Sequence, residues 1–121
     1  MSSPITAWPT SLKVDAGKRV LTICFDDGTE FAIEAELLRT HSPSAEVQGH
    51  SPDQRVTQWG KRNVTIRDML PTGNYAVRVI FSDGHDTGIF TWTYLHELGR
   101  EGPALWQAYL TELEAKGLTR G

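Results

Sequence analysis

The chain has 121 residues, 39% of them apolar, and its 12 lysines and arginines are outnumbered by 15 acidic residues, for a formal net charge of −3. This length and composition predict one globular domain, and the mild acidity excludes the concentrated positive charge typical of nucleic-acid-binding proteins. Apolar runs fall well short of the roughly 20 residues of a membrane span, and residues 1–8 lack a signal-peptide pattern. The single cysteine, Cys24, excludes an intrachain disulfide. We therefore expect a cytoplasmic protein that contacts no membrane.

The first third of the chain predicts three strands and a short helix. Residues 1–10 carry two prolines without any periodicity, which indicates a flexible lead-in. Runs rich in β-branched and aromatic residues follow at 11–14, 19–25 and 29–33, and turn residues separate them. From Glu34 the composition changes to good helix formers, and the helix is expected to end before Ser42 and Pro43, because the residue before a proline disfavours helical geometry.

Residues 41–58 predict the longest irregular stretch of the chain. They hold two Ser-Pro pairs and a glycine, with few apolar residues to anchor them. Loops of more than about 12 residues in a compact domain are usually either functional or disordered. The sequence leaves both interpretations open.

The second half predicts further strands at 63–70, 75–81 and 87–92, followed by helix. A first helical segment from Tyr94 to Leu98 would be capped by Gly99, and a second would start at Pro103. One apolar stripe then faces the sheet, with Trp106 and Leu110 expected as core anchors; its members are Leu105, Trp106, Tyr109, Leu110 and Leu113. The pattern predicts a single α+β domain with one antiparallel sheet of five or six strands, a short helix and a C-terminal helix.

Motifs for catalysis are scarce. The chain has no Gly-x-Ser-x-Gly elbow, no Cys-x-x-Cys pair and no phosphate-binding glycine loop. Cys24 lies within an apolar strand, where a buried thiol would have a raised pKa and little reactivity. The paired carboxylates Asp26 with Asp27 and Asp83 with Asp86 fall in turns, where aspartate commonly bonds its own backbone.

Histidine spacing gives no metal motif, although the chain offers four of these residues: His41, His50, His85 and His96. His85 is the strongest candidate, because its turn places it near the carboxylates of Asp83 and Asp86. A turn histidine tied to a local carboxylate is the simpler interpretation. The sequence leaves this structural role and a role as metal ligand both open.

Four segments, at residues 37–39, 42–50, 73–77 and 81–95, together resemble the gamma-butyrobetaine hydroxylase-like N-terminal domain family. The family includes small uncharacterised stand-alone bacterial proteins, a domain appended to some iron–sulfur cluster carrier ATPases, and the N-terminal domain of gamma-butyrobetaine and trimethyllysine hydroxylases. The resemblance implies a lead-in at 1–10, the family domain at 11–98 and a C-terminal helical extension at 99–121.

The resemblance also bears on metal binding. In the hydroxylases this domain carries a zinc site of three cysteines and one histidine, whose places here correspond to Ser42, Ser44, Val47 and His85. A hydroxyl is a poor zinc ligand and valine is none, so the hydroxylase-type zinc site is not expected to form. The oxygenase chemistry of those enzymes belongs to a separate C-terminal domain, which a chain of 121 residues is expected to lack.

If the geometry of that site is kept, its remaining residues share a polar patch held by hydrogen bonds. The predicted binding patch comprises Ser42, Ser44, Glu46, His50, Asp83, His85 and Asp86. The expected function is a non-enzymatic accessory module, without catalytic residues or cofactor, that binds a protein partner. The family's domain fusions suggest iron–sulfur cluster handling and a carrier ATPase as that partner. The alternative is an iron- or zinc-binding protein in which His85 is joined by Asp83, Asp86 or Glu46.

Overall fold

The strands divide into two separate sheets in the computed structural model, which describes residues 8–49 and 54–121. The α+β class is confirmed, but the expected single sheet of five or six strands is wrong. In chain order the described elements are β1 (Pro9–Val14), β2 (Val20–Phe25), β3 (Glu30–Glu34), α1 (Ala35–Thr40), α2 (Ala45–Gln48), β4 (Ile66–Thr72), β5 (Ala76–Phe81), β6 (Gly88–Thr91) and α3 (Trp92–Ala115).

Each sheet is an antiparallel meander in which neighbours in sequence pair in space. The first sheet has the order β1-β2-β3 and the second β4-β5-β6. Along the chain, α1, α2 and the long connection to β4 lie between the two sheets. A backbone hydrogen bond of 2.8 Å, from the Ile66 amide to the Lys18 carbonyl, joins the start of β4 to the β1–β2 turn.

Alternating apolar residues of both sheets build a shared core. On β2 the buried side chains are Leu21, Ile23 and Phe25. β5 contributes Val77, Val79 and Phe81 in the same way. Because side chains of a strand alternate between faces, Cys24 points away from this core and is half-exposed, so its expected burial is wrong. Partial desolvation and the nearby Glu30 carboxylate still raise the pKa of its thiol, and its inertness stays a prediction.

Helix α3 is continuous, whereas the sequence predicted a break at Gly99 and a new start at Pro103. Gly99 is needed for packing, since a Cβ there would lie 2.3 Å from Cγ of Phe31. The helix therefore passes close over β3 at this glycine instead of ending there. Pro103 lies inside the helix, where packing of α3 against β3 and β6 outweighs the missing amide.

The C-terminal half of α3 packs through different residues from those expected. Tyr109 and Leu113 are the buried members of the apolar stripe. Trp106 is half-buried against the core, and Leu110 is half-exposed outside it. Trp106 therefore packs against the core without being fully buried, whereas the expectation that Leu110 is a core anchor is wrong.

The remaining boundaries shift by a few residues. Strand β1 begins at Pro9, inside the expected lead-in, and β4 runs from Ile66 to Thr72 where a strand at 63–70 was expected. The stretch expected to be irregular contains α2, whose preceding residue Ser44 takes the extended backbone typical of a helix N-cap. Within the described part of the chain, no helix combines the length and the apolarity needed to cross a membrane.

Candidate functional site

The β5–β6 turn positions His85. Gly84 adopts a φ of +91°, which glycine reaches without strain, and the Asp83 carboxylate accepts a hydrogen bond of 3.1 Å from the His85 amide. The turn closes with a 2.9 Å bond from the Phe81 amide to the His85 carbonyl. This geometry directs the imidazole inward, so that the side chain is buried instead of pointing into solvent.

Both ring nitrogens of His85 have partners. Nε2 lies 2.9 Å from the Ser42 hydroxyl oxygen and 3.3 Å from that of Ser44, while Nδ1 lies 3.3 Å from Oε2 of Glu46. Because an ionised carboxylate only accepts, Nδ1 of the neutral ring donates to Glu46 and Nε2 accepts from Ser42. Burial and the positive charge of Arg39 lower the pKa of His85, which favours this neutral form.

The loop that carries the serines is fastened on several sides. The Gln48 side-chain amide donates a 2.9 Å hydrogen bond to the Ser42 carbonyl, and the Thr87 hydroxyl donates a 3.2 Å bond to Glu46. Ser42 can approach β6 only because residue 88 is glycine, since a Cβ there would lie 2.5 Å from the Ser42 hydroxyl oxygen. The sequence analysis missed Gly88, although a glycine inside a strand is a known sign of close approach.

A second, charged group lies beside the histidine. Arg39 Nε and Lys61 Nζ both contact Oδ2 of Asp83, at 2.8 Å and 2.7 Å. Partial burial alone would raise the pKa of Asp83, but the hydrogen bonds from Lys61, the His85 amide and Arg39, with the Arg39 charge, lower it to about 2. Sequence analysis missed Arg39 and Lys61, because neither stands near Asp83 in the chain.

The predicted site residues therefore fall into three groups. Ser42, Ser44 and Glu46 meet His85 directly, as the resemblance implied. Asp83 contacts the His85 backbone and the basic pair instead of the imidazole, and Asp86 is exposed on the turn. His50 lies outside the described residues.

The chain of hydroxyl, imidazole and carboxylate has the order of groups found in serine hydrolases. Ser42, however, is completely enclosed, so its hydroxyl is not accessible to a substrate, and Ser44 is also buried. The contacts serve instead to hold residues 42–49 against the β5–β6 turn. Among residues 8–49 and 54–121, no cluster of three or more His, Cys, Asp and Glu side chains is placed to hold a metal ion.

The fold and this hydrogen-bonded centre define a small α+β domain of two three-stranded meanders that both pack against one long helix. The family model described as "Gamma-butyrobetaine hydroxylase-like, N-terminal" matches residues 12–96, and the chain belongs to this family.

Three solved structures are similar over most of the chain. Two solution NMR structures have 42% and 43% sequence identity and TM-scores of 0.84 and 0.81; the alignments cover 99% and 94% of this chain and 89% and 90% of theirs. The third is a crystal structure of a DUF971-family protein of unknown function from Acidithiobacillus ferrooxidans ATCC 23270, with 36% identity and a TM-score of 0.64. That alignment covers 81% of this chain and 98% of the other. Comparison with curated proteins gives no significant match.

Proposed function

We propose that this protein is a non-enzymatic accessory module that binds a protein partner through the surface around the β5–β6 turn. The partner suggested by the domain fusions of similar family members is an iron–sulfur cluster carrier ATPase. We place this activity in the cytoplasm, in keeping with the single free thiol of Cys24.

The observation that carries the proposal is a pair of exposed apolar side chains beside the site. Val56 and Trp59 are 52% and 57% exposed on the segment leading into β4. This segment adjoins the site at two points, through the Val56 amide bonded to the Val47 carbonyl and through Lys61 paired with Asp83. Tryptophan is strongly enriched among residues that dominate protein–protein binding energy.

The rim of the site can add specificity to this apolar pair. Glu46 is 64% exposed at its side chain, and Asp86 is exposed on the neighbouring turn. The enclosed serines and the buried imidazole lie beneath them and fix the position of the rim. In this arrangement the internal hydrogen bonds orient a binding surface, and the partner contacts Trp59, Val56, Glu46 and Asp86 but no part of the imidazole.

The test is a calorimetric titration of the purified protein with the carrier ATPase of the same organism. We expect measurable affinity, which Trp59→Ala weakens by about thirtyfold, the effect of losing a contact worth about 2 kcal/mol. Glu46→Lys should weaken binding by less than Trp59→Ala does. Its effect should be larger at low salt than at high salt, because charges at an interface rim act mainly through long-range electrostatics.

Trp8→Ala is the matched control. Trp8 is 52% exposed, close to the exposure of Trp59. Its backbone pairs with Asp26 at the β2–β3 turn, whereas the residue after Trp59 bonds the carbonyl of Thr119 beyond the far end of α3. No binding by the unaltered protein, or equal losses from Trp8→Ala and Trp59→Ala, would contradict the proposal.

The alternative function, an iron or zinc site built on His85 with Asp83, Asp86 or Glu46, makes a different prediction. It requires metal-dependent stabilisation that is lost when His85 is removed. The titration described in the Discussion separates the two proposals.

A further inference from the structure

A groove lies between the outer edge of β3 and helix α3, on a part of the molecule that the proposed function does not use. Its volume is about 440 Å³, within the range of ligand-binding clefts. Residues 32–34 form one wall, and the rest of the lining is apolar: Leu37, Leu98, Gly99, Gly102, Pro103 and Trp106.

The β3 wall carries free hydrogen-bonding groups. The Phe25 amide donates a hydrogen bond to the Thr29 carbonyl at one end of the β2–β3 ladder, and the Ala35 amide donates to the Arg19 carbonyl at the other. Residues 29 and 35 therefore belong to hydrogen-bonded pairs. Bonded pairs recur at every second residue of an antiparallel ladder, so Phe31 and Ile33 bond to β2. The amide and carbonyl of Ala32 therefore point outward, and no described backbone group bonds to them outside the sheet.

The helix wall is open because of a glycine that packing does not require. At Gly99 a Cβ would collide with Phe31, but at Gly102 the nearest atom beyond the adjacent residues would be Cδ2 of Leu37, at an ordinary contact distance of 3.8 Å. Glycine is among the least favourable residues in a helix interior. The missing side chain at Gly102 leaves this wall of the groove open.

The other face of β3 carries two carboxylates. Phe31 and Ile33 face α3, so the alternating residues Glu30, Ala32 and Glu34 lie on the opposite face, where all three are exposed. A strand placed beside β3 would therefore present alternate side chains to an apolar groove and to two carboxylates.

We propose that this groove binds an extended segment of a partner protein, which adds to β3 as a fourth strand through the backbone of Ala32. The segment alternates small apolar side chains, which enter the groove beneath Trp106 and Pro103, with lysine or arginine side chains, which face Glu30 and Glu34. Strand addition of this kind takes its affinity from main-chain hydrogen bonds and its specificity from alternate side chains.

The probe is a terminally blocked, fluorescein-labelled heptapeptide that alternates lysine and valine, and the measurement is fluorescence anisotropy. We expect saturable binding, with at least tenfold loss when lysine is replaced by glutamate. The same loss is expected when the two inner lysines are N-methylated, because in an antiparallel pair the residue opposite Ala32 lies on the face of Glu30 and Glu34 and donates its amide to Ala32. This change removes main-chain donors without altering the protein. Equal binding of the N-methylated peptide, or no binding of the parent peptide, would overturn the proposal.

Two protein variants locate the site. Gly102→Leu fills the groove and should reduce binding at least tenfold, while Ala104→Leu, at an exposed position of the same helix that does not line the groove, should leave it unchanged. Ala32→Pro removes the outward amide and should have a similar effect, because proline is accommodated on edge strands where the amide faces solvent. Equal affinity of Gly102→Leu and Ala104→Leu would place the peptide elsewhere.

Sedimentation equilibrium without peptide examines a second occupant. We expect a monomer in both the unaltered protein and Gly102→Leu. A dimer that Gly102→Leu dissociates would show that another copy of this chain occupies the groove, and would overturn assignment to a separate partner.

Discussion

The centre at His85 and the groove beside β3 differ in how far their hydrogen-bonding capacity is used. At His85 both ring nitrogens have partners, and the serine hydroxyls are enclosed. At the groove, a backbone amide and carbonyl of Ala32 face outward beside an apolar wall. The histidine and serines, which are typical functional residues, therefore hold the structure together here. At the groove, a glycine and the edge of a strand leave space and hydrogen-bonding groups for another molecule.

The largest expected effect comes from adding one methyl group at the closed centre. In Gly88→Ala the new Cβ would lie 2.5 Å from the Ser42 hydroxyl oxygen and 3.1 Å from Cε1 of Phe90. Relief of this clash displaces Ser42 from His85, so we expect a loss of about 2 to 4 kcal/mol in the free energy of unfolding. Urea denaturation measures it. A loss below about 0.5 kcal/mol would show that the centre is loosely packed.

His85→Ala should cost about 2 kcal/mol, because it leaves the buried Ser42 and Ser44 hydroxyls without their shared partner. Thermal unfolding with zinc or ferrous iron tests the metal alternative on the same variant. A metal bound only to the native state would raise the free energy of unfolding by about 2.7 kcal/mol when its concentration is a hundredfold above Kd. We expect no His85-dependent shift at micromolar metal.

The control for this titration is His96→Ala, which removes a second buried histidine paired with a carboxylate, Asp27. A stabilising shift present in the unaltered protein and in His96→Ala, but absent in His85→Ala, would establish the metal site and contradict the closed, metal-free centre.

Asp83 should make stability depend on acid. Its pKa is about 2 in the folded protein against an ordinary value of 3.8, so the folded state favours the ionised form. The resulting stabilisation is complete above about pH 4 and is lost as pH falls through about 2. Because the carboxylate is partly exposed, we expect on the order of 1 kcal/mol. Asp83→Asn should lower stability by this amount at pH 7 and flatten its decline between pH 4 and 2. An unchanged decline would assign the acid sensitivity to other groups.

The smallest effect, opposite in sign, is expected at the open groove. Gly102→Ala places a methyl group at an ordinary distance from Leu37 and should stabilise the protein by at most about 0.5 kcal/mol. Alanine is the better helix former, but the ring of the following Pro103 opposes a Cβ at this position. Denaturant midpoints of Gly102→Ala and Gly88→Ala, measured side by side, compare two glycines of one chain. Destabilisation by Gly102→Ala would mean that this glycine is also fixed by packing.

Much of the secondary structure could be predicted from local patterns, because β-rich runs and turn residues mark each meander. The division into two sheets could not, since nothing in the alternation of β3 or β4 states which edge stays unpaired. Gly99 shows a second limit, because a glycine that admits a neighbouring ring and a glycine that caps a helix look the same in sequence.

The centre at His85 was predictable to a similar extent. The resemblance to a known family brought Ser42, Ser44 and Glu46 to His85, as the structure has them. Their burial was not predictable, because it depends on how closely β6 approaches the loop at Gly88. The basic partners Arg39 and Lys61 of Asp83 come from distant segments that carry no shared motif.

The two meanders also have a consequence for how the chain acquires its structure. Every strand pairing joins neighbours in sequence, within Pro9–Glu34 for one sheet and Ile66–Thr91 for the other. Closing short loops costs little entropy, and proteins dominated by local contacts fold rapidly. Each sheet can thus assemble soon after it leaves the ribosome, whereas the core they share is completed only when α3, which is synthesised after the six described strands, docks across β3 and β6.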